Sequence, residues 1–104
     1  MNRISILVVD DHPIVREGLR ALFELEKDIQ LVGDVSSGME CLEFIQKVCP
    51  DVILMDVVMP GIGGLATTRL VKQAHPQVKV ILLTNYEDEE YLMEALRLGA
   101  DGYA

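Results

Sequence analysis

Val52-Ile53-Leu54-Met55-Asp56-Val57-Val58-Met59-Pro60 is an apolar run that meets a carboxylate and then breaks at a proline. The four consecutive apolar residues between Asp51 and Asp56 show no alternation. Such a run suits a parallel strand buried on both faces, central in an α/β sheet. Asp56 then stands where the strand emerges. Ligands of open parallel sheets bind at the carboxyl edge of the strands, so a charged side chain there is a site candidate.

Working outward, the next loop is Met59-Pro60-Gly61-Ile62-Gly63-Gly64, rich in residues that permit unusual backbone angles. Leu65 to Ala74 reads as a helix that Pro76 ends, and Val78 to Leu83 as a fourth strand that delivers Thr84 to its carboxyl end. Upstream, Ile4 to Val9 reads as a first buried strand ending in Asp10-Asp11. His12-Pro13 starts a helix, since proline at the first helical position loses no bond that the helix needs. Ile14, Val15, Leu19, Leu22 and Phe23 carry that amphipathic helix to about Glu26 and give it one face for the sheet. Ile29 to Val35 looks like a second, more exposed strand, followed by a Ser36-Ser37-Gly38 turn. Met39, Leu42, Ile45 and Val48 mark the second helix, stopped by Pro50. Near the end, Glu87-Asp88-Glu89-Glu90 opens a helix at the positive end of its dipole, Leu92, Ala95, Leu96 and Leu98 form its apolar face, and Gly99 caps it. Asp101 to Ala104 begins a fifth strand, inside which the sequence stops. Strand–helix alternation at this spacing implies right-handed crossovers and a doubly wound parallel five-stranded sheet.

The 104 residues are half apolar and a quarter charged, which points to one globular domain with a real core. A net charge of −8 would repel phosphate backbones, so this segment alone should not bind nucleic acid. The apolar runs are too short to cross a bilayer and the start leads directly into a strand pattern, so no membrane association and a cytoplasmic location are expected. Cys41 and Cys49 lie eight residues apart on one expected helix, roughly 12 Å along its axis. That is too far for a disulfide, and both are expected as reduced, partly buried thiols.

If the first, third and fourth strands are neighbours, Asp10, Asp11, Asp56 and Thr84 converge on one sheet edge. At about 4 Å and an effective dielectric near 20, each like-charged pair costs about 4 kcal/mol. Something positive must relieve that. Mg²⁺ or Mn²⁺ fits best, because a hard dication takes a few carboxylates plus waters and leaves room for a phosphoryl oxygen. No His or Cys lies at ligand spacing, which argues against zinc. A carboxylate beside a dication can attack phosphorus, and Asp56, alone on the central strand, is the best nucleophile. Asp10 and Asp11 would hold the metal. The bland alternative is that Asp10-Asp11 only caps the first helix.

The stretches "ILVVDDHPIVREGLRALF" (6–23), "PDVILMDVVMPGIGG" (50–64), "VILLT" (80–84) and "LRLGADGY" (96–103) resemble, in order and spacing, the receiver domains of bacterial two-component response regulators. The start and the end are most similar to the NarL/FixJ, LuxR-type group. The resemblance implies a flavodoxin-like fold for residues 1–104 and makes Asp56 the phosphoacceptor, with the phosphoryl group taken from a sensor histidine kinase. Asp11 and Asp56 would bind Mg²⁺ directly with the Val58 backbone carbonyl, and Asp10 would act through water. Thr84 would hydrogen-bond the phosphoryl group, and Tyr103 would be the aromatic switch. It further implies a homodimer on activation and transcription regulation through a C-terminal helix-turn-helix domain, the only route to DNA. The family's phosphoryl-binding lysine and final helix would fall just beyond Ala104, Gly63 stands where an aspartate is common, and Asn85 is bulkier than the residue usual there.

Such a protein is a switch and formally not an enzyme, though it takes part in its own phosphorylation. Two other classes compete. A haloacid-dehalogenase-type phosphohydrolase also uses an aspartyl phosphate, but carries its nucleophile on the first strand in an Asp-x-Asp arrangement that Asp10-Asp11 does not match. An unphosphorylated interaction module with a receiver fold would not need the acidic residues and Thr84 together. Were residues 1–104 the whole molecule, the face around Leu19, Leu22 and Phe23 would lack a closing helix and be expected to self-associate or take a partner.

Overall fold

The chain folds as an open, wholly parallel sheet in the order β2-β1-β3-β4-β5. The computed structural model describes residues 3–83 and 101–103. The elements are β1 (Ile4–Val9), α1 (Pro13–Glu24), β2 (Ile29–Val35), α2 (Gly38–Lys47), β3 (Val52–Asp56), α3 (Gly63–Ala74), β4 (Lys79–Leu83) and β5 (Gly102–Tyr103). The expected helix over 87–98 lies outside the described residues. The strand order reverses direction between β1 and β3, the neighbours at the centre, and it is there that a doubly wound sheet opens a crevice for ligands. β1 and β2 begin and end where the apolar pattern predicts.

The core lies mainly between the sheet and the α2/α3 layer. Leu7 and Val9 of β1, Ile53 and Met55 of β3, and Val80 and Leu82 of β4 pack there with Cys41, Ile45 and Val71. Burying each such side chain stabilises the fold by about 1.5–3 kcal/mol. On the opposite face Ile6 and Val8 are buried, whereas Leu54 and Ile81 are only half-buried. β3 is therefore not buried on both faces along its whole length, as its unbroken apolar run suggests. Among the described residues α1 packs over β2 and, to a lesser extent, β1. None of its residues is fully buried. Leu19 and Phe23 are half-buried, and Leu22 is 59% exposed.

Three further boundaries differ from the sequence reading. α1 stops at Glu24, with the Leu25 and Glu26 amides closing its last turn onto Leu22 and Phe23. α3 begins at Gly63, not Leu65, because Gly63 takes φ +73°, the left-handed region, and turns the chain directly into the helix. α2 ends at Lys47, so Cys49 lies beyond it and is exposed, whereas Cys41 is buried and its thiol pushed up to about 12 by that burial. Both cysteines are free.

The sheet edge remote from the strand ends is tied by polar groups. Asp51 Oδ2 accepts from the Ser5 amide at 2.9 Å and the Ser5 hydroxyl at 3.0 Å, joining β1 to β3. Lys72 Nζ donates to the carbonyls of Pro76 (3.1 Å) and Val78 (2.8 Å) and to Asp101 Oδ2 (3.0 Å), joining α3 and β4 to the residue before β5. Among the described residues no helix is long and apolar enough to cross a membrane.

Candidate metal centre

Because β1 and β3 are hydrogen-bonded neighbours with Val9 opposite Met55, the residues that follow them must meet. Asp10, Asp11 and Asp56 do so, with His12 as a fourth member, each offering a ligand atom within 4.8 Å of all the others. Asp10 is 5% exposed and extends the β1–β2 ladder, its amide donating to the Val35 carbonyl at 3.1 Å. Asp56 closes β3 opposite Leu83, and its Oδ1 accepts from the Val58 amide at 3.2 Å. Val58 itself is exposed.

The start of α3 sits directly behind Asp56. The Gly64 amide donates to the Val57 carbonyl at 3.0 Å, and a Cβ at Gly64 would lie 2.0 Å from the Asp56 carbonyl oxygen. Only a residue without a side chain lets the helix approach so closely. The N-cap of α3 is Ile62, whose side chain offers the helix no hydrogen bond. Thr67 and Thr68 are fully buried and satisfied by the helix itself, donating to the Gly63 and Gly64 carbonyls at 2.6 and 2.8 Å.

His12 is the residue that sequence reasoning missed. It was assigned only to the helix start, and the argument against zinc took no histidine to lie at ligand spacing. The structure overturns that premise. His12 Nδ1 lies 2.8 Å from Asp10 Oδ1, 3.1 Å from Asp11 Oδ1 and 3.8 Å from Asp56 Oδ2. The available signal was Pro13: a residue before proline is pushed into extended backbone, here φ −99° and ψ 110°. That turn sends the His12 ring back over the acids, while its amide donates to Asp10 Oδ1 at 2.8 Å. The same geometry disposes of the capping alternative, since α1 has no side-chain cap.

The electrostatics follow from this crowding. Burial pushes the Asp56 carboxyl up from its usual range, and the nearby Asp10 and Asp11 charges push the same way. The hydrogen bond to Asp10 and the Asp11 charge raise His12, so a protonated imidazole is favoured as counter-charge. It does not complete the cluster, because Asp11 Oδ1 is buried without a hydrogen-bond partner. A buried carboxylate oxygen without a hydrogen bond, 3.1 Å from one ring nitrogen and beside two further carboxylates, fits a hard dication such as Mg²⁺ or Mn²⁺. With oxygen donors outnumbering the one ring nitrogen, the case against zinc rests on that ratio instead of on a missing histidine.

Of the other expected site residues, Thr84 lies outside the described residues, one position beyond the end of β4 at Leu83. Tyr103 is described in its backbone, which pairs with Leu82.

Comparison with known proteins agrees with this fold. The response regulator receiver domain profile matches residues 6–104. The transcriptional regulatory protein DegU of Brevibacillus brevis is 40% identical over 102 residues, covering 98% of this chain and 43% of DegU. The chain thus spans about half the length, or less, of the curated relatives it matches. Among solved structures, a LuxR-family two-component response regulator from Aurantimonas sp. SI85-9A1 superposes with a TM-score of 0.92 at 32% identity, covering 98% of this chain and 73% of that one. The signal receiver domain of NarL from Mycobacterium tuberculosis gives 0.93 at 31% identity, covering 99% and 83%.

Proposed function

The chain belongs to the response regulator receiver domain family, in its NarL/LuxR group, and from that premise we propose that it is a phosphorylation-controlled switch whose phosphoacceptor is Asp56. The observation that carries this reading is the Asp10-Asp11-Asp56 cluster at the β1/β3 crevice, with one buried oxygen of Asp11 making no hydrogen bond. Residues 1–104 are the receiver unit of a two-component regulator. Its partner is a sensor histidine kinase, and it acts on transcription through a DNA-binding domain elsewhere in the full protein, with dimerisation on activation.

A bound Mg²⁺ would supply positive charge to offset the negative charge of the carboxylates and of a phosphoryl group at this site. Asp11, Asp56 and the Val58 carbonyl would hold it, with Asp10 acting through water. An Asp56 oxygen attacks the phosphorus of a phosphohistidine, an O–P bond forms, the P–N bond breaks, and the imidazole leaves with the electron pair and takes up a proton. Thr84 would then bond the phosphoryl oxygens and Tyr103 report the change, so that a signalling protein rather than a turnover enzyme results.

Intact-mass measurement after incubation with acetyl phosphate and Mg²⁺ tests the reading. One added phosphoryl group is expected, absent without metal and absent in Asp56→Asn. A chain that gains no mass, or an Asp56→Asn chain that gains the same mass, overturns it.

A further inference from the structure

The amide, carbonyl and carboxylate of Asp10 are each held, and two of the holders, Val35 and Arg16, lie outside the acidic cluster. Its amide goes to Val35 and its carboxylate takes the His12 amide and ring. Its carbonyl oxygen accepts from Arg16 Nη1 at 2.6 Å. Arg16 rises from the first turns of α1, is 19% exposed, and its Nε donates to Asp34 Oδ1 at 3.2 Å. Asp34, 16% exposed, also pairs with Arg20, so β2 presents a fixed acceptor for the guanidinium. The planar fork lets one side chain grip a carboxylate and a carbonyl at once, which an ammonium cannot do with comparable direction.

The carbonyl that Arg16 grips belongs to the peptide unit joining Asp10 to Asp11. That unit is planar, so fixing its oxygen fixes the direction in which the Asp11 Cα leaves it. Asp11 Oδ1 makes no hydrogen bond, its charged neighbour being the exposed His12 ring at 3.1 Å. Resting on the function proposed above, we infer that Arg16, oriented by Asp34, is a positioning residue for the metal-binding carboxylate of Asp11. It touches neither metal nor phosphoryl group and acts through the backbone.

Charge and positioning make opposite demands, and the sign of one measurement separates them. A nearby cation repels Mg²⁺, so deleting Arg16 would tighten Mg²⁺ binding if charge alone mattered. Loss of an outer partner that orients a ligand weakens metal binding by about 10–100-fold. Calorimetric Mg²⁺ titration of Arg16→Met and Arg16→Lys, with amide exchange at Asp11 and a separate thermal melt, is the test. Both variants are expected to bind about tenfold or more weakly, with faster exchange at the Asp11 amide, the lysine failing to rescue because it restores charge without the fork. Tighter binding by Arg16→Met, or unchanged binding by both variants whatever their melting temperature, overturns the inference. Should the methionine variant not fold, Asp34→Asn leaves Arg16 in place and releases its grip, and it is expected to weaken Mg²⁺ several-fold; wild-type affinity there overturns the inference equally. A wild-type chain with no Asp11-dependent Mg²⁺ uptake defeats the proposed function and this inference with it, whereas wild-type binding with indifferent Arg16 variants defeats only the latter.

Discussion

Replacing Gly64 by alanine places one methyl group where the fold has least room for it. The new Cβ would lie 2.0 Å from the Asp56 carbonyl oxygen, 2.8 Å from Val57 Cα and 2.9 Å from the Asp56 carbonyl carbon, all backbone atoms with no rotamer to escape into. Ordinary contact begins at 3.4 Å, so the start of α3 has to back away from the β3 end by about 1.4 Å. That retreat strains the 3.0 Å bond from the Gly64 amide to Val57. Overpacking of this kind costs about 1–3 kcal/mol and the weakened bond about 1 kcal/mol, while alanine in a helix returns about 1 kcal/mol. A net loss of about 2 kcal/mol lowers the melting temperature by roughly 8–16 °C for a domain near this size. Gly18→Ala is the control, because nothing lies within 4 Å of its Cβ position in the middle of α1. Freed of any clash, it should gain about 0.5–1 kcal/mol. Urea unfolding of both variants measures the pair. A Gly64→Ala chain as stable as wild type, or two variants shifted in the same direction, refutes the close packing of α3 on Asp56.

Asp56→Asn is expected to stabilise the metal-free chain at neutral pH. Burial and the neighbouring acids raise the folded-state pKa of Asp56, so the ionised form opposes folding above that pKa and the advantage of asparagine fades as pH falls through it; equal melting temperatures at pH 7 would contradict this. Glu40 behaves in the opposite sense, because hydrogen bonds from the Ser36 hydroxyl and amide hold its carboxyl below the ordinary 4.5. Its contribution is present above that value and lost as pH falls through the lowered folded-state pKa, so the deficit of Ser36→Ala in thermal melts should shrink in acid and a pH-independent deficit would count against the pairing. Lys72→Met should cost about 1–3 kcal/mol, since it leaves Asp101 and two carbonyls without their shared donor, and unchanged urea midpoints would show the latch to be idle.

What the sequence disclosed depended on how local the cause was. β1 and β2 were legible to the residue because an apolar stretch and its flanking polar residues are properties of adjacent positions. The three carboxylates were legible because a parallel sheet sends all its carboxyl ends to one edge. Gly63 and Gly64 were read as loop because glycine signals permissiveness, and nothing nearby in sequence reveals that the Asp56 backbone would press against the helix start. Half-burial of Leu54 is likewise a matter of packing between elements, which its neighbours in sequence do not reveal. Arg16 was out of reach altogether, since its carboxylate partner is on another element at Asp34.

The acidic crevice sets stability against binding in one place. Ionised Asp56 is held beside Asp10 and Asp11 by strands whose register leaves it no other position, so in the metal-free chain the repulsion cannot relax by moving apart. His12 answers part of it, yet its ring is largely solvent-exposed and leaves Asp11 Oδ1 without a hydrogen bond. Any ligand that binds only the folded state stabilises it, by an amount that grows with the logarithm of its concentration over its dissociation constant. The free energy by which Asp56→Asn should stabilise the metal-free chain is therefore part of what a dication would recover on binding. Asparagine at that position is expected to raise the metal-free melting temperature and to shrink the further rise on adding Mg²⁺. If the Mg²⁺-induced rise stayed the same in Asp56→Asn, the charge held at the end of β3 would not be what recruits the metal.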